Sequence, residues 1–124
     1  GVPSKILFGN IVEDKYSLLS NINNETVIIP KTKGFVSIKA GIGMNMEILG
    51  NECSIWLYKN GSLLSIMSRG VAGASGEVEL LCSIDVEVNS DEDYFQLAVY
   101  HNTGTNKSSF GTRVWQWLSV HSYN

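Results

Sequence analysis

Residues 53–68, CSIWLYKNGSLLSIMS, and residues 76–101, GEVELLCSIDVEVNSDEDYFQLAVYH, decide the fold class. Both alternate apolar and polar side chains, the period of a half-buried strand, and neither carries a helical period. Cys53, Ile55 and Leu57 share one face. Asn60-Gly61 follows, a pair that tolerates positive φ and is the strongest short-range hairpin signal in the chain. Residues 62–68 are expected to return beside residues 53–59. Val78, Leu80, Cys82, Ile84, Val86 and Val88 then face one way along the longest expected strand. Residues 89–93, NSDED, are expected to form an acidic hairpin turn, and residues 94–100 the return strand, with Phe95, Leu97 and Val99 inward.

Working outward, residues 35–44 alternate, with Val36, Ile38, Ala40, Ile42 and Met44 on one face. Gly41 and Gly43 lie opposite, where another backbone could approach closely. Residues 26–29 form a β-branched strand stopped by Pro30, and residues 31–34 a turn. Residues 5–8 are a short β-like run, residues 21–25 carry turn chemistry, and residues 46–50 read as a brief strand or a loop. Residues 69–76, RGVAGASG, and residues 101–111 are expected loops. Residues 114–123 close the chain as a strand with Val114, Leu118 and Val120 in phase. About eight strands with short turns read as an all-β, antiparallel two-sheet sandwich or jelly roll.

Length and composition agree. A chain of 124 residues with 44% apolar content fits one globular domain, 1–124, with a real core. The net charge of −3 and the scattered lysines argue against a nucleic-acid partner. No apolar run approaches the roughly 20 residues of a membrane helix, so no membrane insertion is expected. The start, GVPSKILFG, lacks the pattern of a signal peptide. With no initiator Met, the chain is expected to be the C-terminal part of a longer protein. Cys53 and Cys82 occupy apolar phases and read as buried free thiols, with one disulfide as the alternative. Sequons at Asn24, Asn60 and Asn106 are weak support for secretion.

A sandwich strand needs one apolar face, yet several strands here have two. Trp115, Trp117 and Tyr123 lie opposite Val114, Leu118 and Val120. Phe35, Leu81, Trp56 and Tyr58 also sit on outer phases. An exposed patch of this kind points to a subunit interface. Coverage by terminal segments, or a carbohydrate platform at Trp115 and Trp117, are the alternatives.

Several segments, in order, resemble the globular-head family of complement C one q and tumour necrosis factor. They are IPKTKGFVSIKAGIGM (29–44), WLYKNG (56–61), GASGEVELLCSIDVEVNSDEDYFQLAVYHN (73–102) and FGTRVWQWLSV (110–120). The resemblance runs from about residue 26 onward, and its best part is the YKNG hairpin. It implies a jelly roll that assembles as a homotrimer. The strands beginning near Gly34, Gly76 and Thr112 would face the threefold axis, placing Phe35, Leu81, Trp115, Trp117 and Tyr123 at the trimer interface. Trp56 and Tyr58 fall on the other sheet, as candidates for loop packing or ligand contact. Ser90-Asp91-Glu92-Asp93 departs from the family's Gly-Asp turn, and there is no collagen repeat. The Asn-rich composition and closing Trp look more like the bacteriophage branch, whose domains cap fibres and appendages.

No catalytic constellation stands out. His101 and His121 belong to no metal motif, and there is no GxSxG elbow or P-loop. Gly41-Ile42-Gly43 lacks the helix a dinucleotide fingerprint requires. Asp91, Glu92 and Asp93 lack the spacing of a calcium loop and read as a turn. Glu77, Glu79, Asp85 and Glu87 read as an ordinary polar face. No enzyme activity, cofactor or metal is expected. The resemblance implies a virion fibre or appendage head for trimerisation or attachment to a host-surface glycan or protein receptor. Residues 69–76 and 101–109 are the candidate contact loops, offering Tyr100, His101, Asn102 and Asn106. The alternative is a secreted, extracellular cytokine-like or complement-like ligand of a protein receptor.

Overall fold

The computed structural model describes residues 4–5, 11–14, 19–22, 25–45, 52–71, 77–101 and 116–122. The elements are β1 (Ser4–Lys5), β2 (Ile11–Asp14), β3 (Leu19–Ile22), β4 (Glu25–Ile28), β5 (Gly34–Asn45), β6 (Glu52–Lys59), β7 (Ser62–Val71), β8 (Glu77–Val88), β9 (Phe95–His101) and β10 (Gln116–Ser122). There is no helix among the described residues. One sheet has the order β3-β4-β9-β6-β7, with β1 pairing the far end of β9; the other runs β2-β10-β5-β8. Pairing is antiparallel except for β2, which lies parallel to β10 across a register shift at Leu118/Ser119.

The two sheets bury one shared core, as a β-sandwich does. The alternation that marks β5 and β8 as strands also sets their register. Val36 faces Val86, Ile38 faces Ile84, Ala40 faces Cys82 and Ile42 faces Leu80. Leu118 and Val120 of β10 continue the same inward rows, opposite Ala40 and Ile38. From the other sheet come Ile28, Cys53, Ile55, Leu57, Phe95, Leu97 and Val99. Both cysteines are free and buried, on different sheets. Burial pushes the Cys53 thiol up to about 11, and it raises Cys82 too, partly opposed by a hydrogen bond with the Ala40 backbone. At Gly70 in β7 the backbone lies close against side chains of β8 in the other sheet. A Cβ there would lie 2.5 Å from Val78 Cγ1 and 2.9 Å from Leu80 Cδ2.

The expected hairpin at Asn60-Gly61 is present, with φ of 53° and 84°. The second expected hairpin is not. β8 pairs with β5 in one sheet and β9 with β6 in the other, so residues 89–94 carry the chain across the sandwich. Alternation does not distinguish a hairpin from a crossover, since both send apolar side chains to the same core. Residues 69–71, expected in a loop, extend β7, with Arg69 opposite Ser54 and Val71 opposite Glu52. β2 and β3 went unrecognised because IVED and LSNI are short and mixed; β3 pairs with β4, so Asn21, Ile22 and Glu25, expected in a turn, are strand residues, and residues 23–24 lie outside the described residues. The expected brief element at residues 46–50 lies outside the described residues.

The crossover is tied to the β6–β7 hairpin through Asp93. Its Oδ1 accepts from Asn60 Nδ2 at 2.9 Å. Its Oδ2 accepts from the backbone N–H groups of Asn89 at 2.8 Å and Ser90 at 3.1 Å. Lys59 Nζ stands 3.5 Å away and also donates to Glu87 O at 3.1 Å and to Asn89 Oδ1. Asn60 closes the circuit, donating its N–H to Tyr94 O and accepting the Tyr94 N–H on Oδ1, each at 2.9 Å. Asp91 and Glu92 remain exposed while Asp93 turns inward, so the acidic turn does not present its three carboxylates together.

The Asn60 amide and the Asn89 and Ser90 N–H groups, with the Lys59 charge, hold the Asp93 carboxyl down to about 2, below its ordinary 3.8. Its contribution to stability is therefore complete above the ordinary value and is lost as pH falls through the folded one. Asp93→Asn is expected to lower the melting temperature at neutral pH and to flatten the decline in stability between those two pKa values. Thermal melts of both proteins across that acid range check this. Equal acid sensitivity in the variant would contradict it.

Candidate interaction face

The outer side of the β2-β10-β5-β8 sheet takes the alternate residues of each strand. Across its middle runs a rung formed by Trp117, Gly41 and Leu81, set by the register of β10 and β8 on β5. The next rung is Ser119, Lys39 and Ser83, and the one after is His121, Ser37 and Asp85. Trp117 folds across β5 because position 41 has no side chain: a Cβ there would sit 2.2 Å from Trp117 Nε1. The close approach foreseen for Gly41 is thus by an indole within the same sheet, not by another backbone.

Trp117 remains half-buried, while Leu81 is 62% exposed. Together with Lys39, Cys82 and Ser83 they line a shallow groove of about 410 Å³. Phe35 is 50% exposed on the same face. It lies opposite Glu87, six residues along β5 from Gly41, or about 20 Å at strand rise. The structure thus brings Leu81 and Trp117 together and leaves Phe35 near the other end of the face. Trp115 and Tyr123, expected on this face, lie outside the described residues. Glu79, Asp85 and Glu87 place exposed carboxylates along β8, while Lys39 puts an exposed cation on the adjacent strand. The face therefore offers both signs of charge around an apolar centre.

The opposite sheet has its own aromatic pair. Trp56 stacks on Tyr100, with ring centroids 5.2 Å apart and planes at 18°. Trp56 pairs with Ala98, which is fully buried, and its Nε1 donates to Ser54 Oγ at 2.8 Å. Ile66, opposite Trp56 on β7, is 48% exposed and extends this patch, as do Leu63 and Leu64. The sequence reading passed over these three because the register shifts between β6 and β7 break a simple alternation. Tyr58 is half-buried. Tyr100 and His101 end β9, with His101 opposite Cys53; Asn102 and Asn106 lie outside the described residues, as do residues 72–76 of the other candidate loop.

Gly41→Ala tests the seating of Trp117. Overpacking of this kind costs about 1–3 kcal/mol. The variant is expected to lose stability in that range by urea unfolding. In fluorotryptophan-labelled protein, the Trp117 resonance should move while that of Trp56 stays in place. An unmoved Trp117 signal would contradict the contact.

Compared with protein-family models and with curated proteins, the chain matches none.

Proposed function

We propose that this chain is a non-enzymatic, homotrimeric jelly-roll head that assembles through the outer face of the β2-β10-β5-β8 sheet. Its role is assembly and attachment at the tip of a phage fibre or appendage. The single observation that carries the reading is the apolar rung on that face, where Leu81 stands more than half exposed beside Trp117. Fully burying a side chain of this size contributes about 1.5–3 kcal/mol, and a symmetric assembly collects that from every copy. The mixed charges of Lys39 and the β8 carboxylates suit a face that packs against copies of itself.

Two further features support the reading. The strand orders β2-β10-β5-β8 and β3-β4-β9-β6-β7 interleave the chain between sheets, as expected for a jelly roll. The resemblance to the globular-head family, from about residue 26 onward, implies an axis-facing role for the strands that carry Phe35, Leu81 and Trp117. Assembly through this sheet leaves the six-stranded sheet outward, with Tyr100 and His101 at the end of β9 beside the proposed contact loops. Weak contacts there to a host-surface glycan or protein would gain strength from three copies acting together.

Light scattering on the isolated chain tests the assembly. A mass three times that of one chain is expected at micromolar concentration. Leu81→Glu alters a side chain that is largely free in one subunit, so it should fold normally and run as a monomer. Trp117→Glu should dissociate as well. A monomeric wild-type chain, or a Leu81→Glu variant that stays trimeric, would overturn the proposal.

A further inference from the structure

The outer side of the six-stranded sheet holds a second cavity, away from the proposed interface. It encloses about 330 Å³ between β3, β4 and the start of β9, a volume within the range of small-ligand sites. Its floor is aliphatic, made by Ile22, Val27 and Ile29. Pairing of Ile28 with Phe95 sets the antiparallel register of β4 on β9, so Gln96 falls beside Val27 and Tyr94 beside Ile29. Glu25 enters at the head of β4 and Glu92 from the crossover turn, which places them toward opposite ends of that floor. From Glu25 to Ile29 the strand rises about 13 Å.

Glu25 has a defined position. Gln96 is 8% exposed, and its Nε2 donates to Glu25 Oε1 at 2.8 Å. Among the described residues, the lining includes two carboxylates and no basic side chain. That combination repels anions. An ammonium group is matched by either carboxylate through a charge-assisted hydrogen bond and by the Tyr94 ring through its π face. Methylenes attached to it are matched by the aliphatic floor.

We propose that this cavity binds an aliphatic amine, its methylene chain on Val27 and Ile29 and its ammonium at Glu25 or Glu92. The same chemistry is offered by a free polyamine and by a lysine side chain of a partner peptide. The cavity belongs to one subunit and lies on the sheet opposite Leu81 and Trp117, so it does not depend on the assembly proposed above.

Amide NMR titrations with spermidine, Nα-acetyl-lysine methylamide and the uncharged analogue pentanediol test it. Saturable shifts clustered at Glu25, Val27, Tyr94 and Gln96 are expected for an amine and not for the diol. Tighter binding of spermidine identifies a polyamine site, and tighter binding of the lysine derivative a peptide site. For spermidine, whose ammonium groups can engage both carboxylates, Glu25→Gln and Glu92→Gln should each weaken binding about tenfold, the scale of one charge-assisted contact; for the lysine derivative one of the two should do so. Glu87→Gln, on the other sheet, should leave it unchanged. Glu92 lies in an exposed turn, so its variant carries the test if Glu25→Gln fails to fold. No saturable shifts, equal binding of the diol, or equal weakening by all three variants would overturn the site. The last result would mean diffuse attraction to an acidic surface.

Discussion

Asp93 is a carboxylate turned into the protein at the point where the chain leaves one sheet for the other. A crossover of this kind has no ladder of its own, so its backbone groups need partners from elsewhere. Asp93 supplies acceptors to the N–H groups of Asn89 and Ser90, and through Asn60 and Lys59 it is anchored to the end of β6. The arrangement joins the last residues of β8 to the β6–β7 hairpin, which belongs to the opposite sheet. The separation and alignment of the two sheets at this end of the sandwich thus depend on one side chain and the donors around it. The Lys59 ammonium, 5.8 Å from the Phe95 ring centroid, extends the same anchor to the edge of the core.

The two outer faces solve one problem in the same way. An indole on a sheet surface needs a flat place to lie, and each sheet provides it with a small residue on a neighbouring strand. Trp117 lies over Gly41, and Trp56 stands beside the fully buried Ala98. Beyond that the faces differ. Trp56 stacks on Tyr100 and bonds to Ser54, with the half-exposed Ile66 opposite it. The Trp117 rung ends in Leu81, which stays exposed. The proposal of assembly through the four-stranded sheet rests on Leu81, the most exposed large apolar side chain among the described residues.

How much was legible in the sequence follows from the range of each interaction. The inward rows of β5, β6, β8, β9 and β10 were readable because strict alternation reports a buried face directly. The Asn60-Gly61 turn was readable because its positive φ values are a local requirement. The partner of each strand was not local information. β8 and β9 looked like a hairpin, although their partners are β5 and β6. The same limit applies to the outer faces. Phe35, Leu81 and Trp117 were recognisable as out-of-phase apolar residues, but the pairing of Trp117 with Gly41 depends on register across strands far apart in sequence. The Glu25–Gln96 contact spans 71 positions, and no spacing in the sequence announces it.

The position of β10 has a further consequence for how the molecule comes into being. β10 is the last described strand in sequence, yet it lies inside its sheet, between β2 and β5. Until it emerges during synthesis, β5 presents an open edge along residues 36–42, with the inner row of Val36, Ile38, Ala40 and Ile42 only partly covered. An edge of that length invites pairing with another chain. Completion of the four-stranded sheet must therefore wait until β10 has left the ribosome. The nascent chain will be most vulnerable to aggregation, and most in need of a holding chaperone, in the interval after β5 emerges and before β10 does.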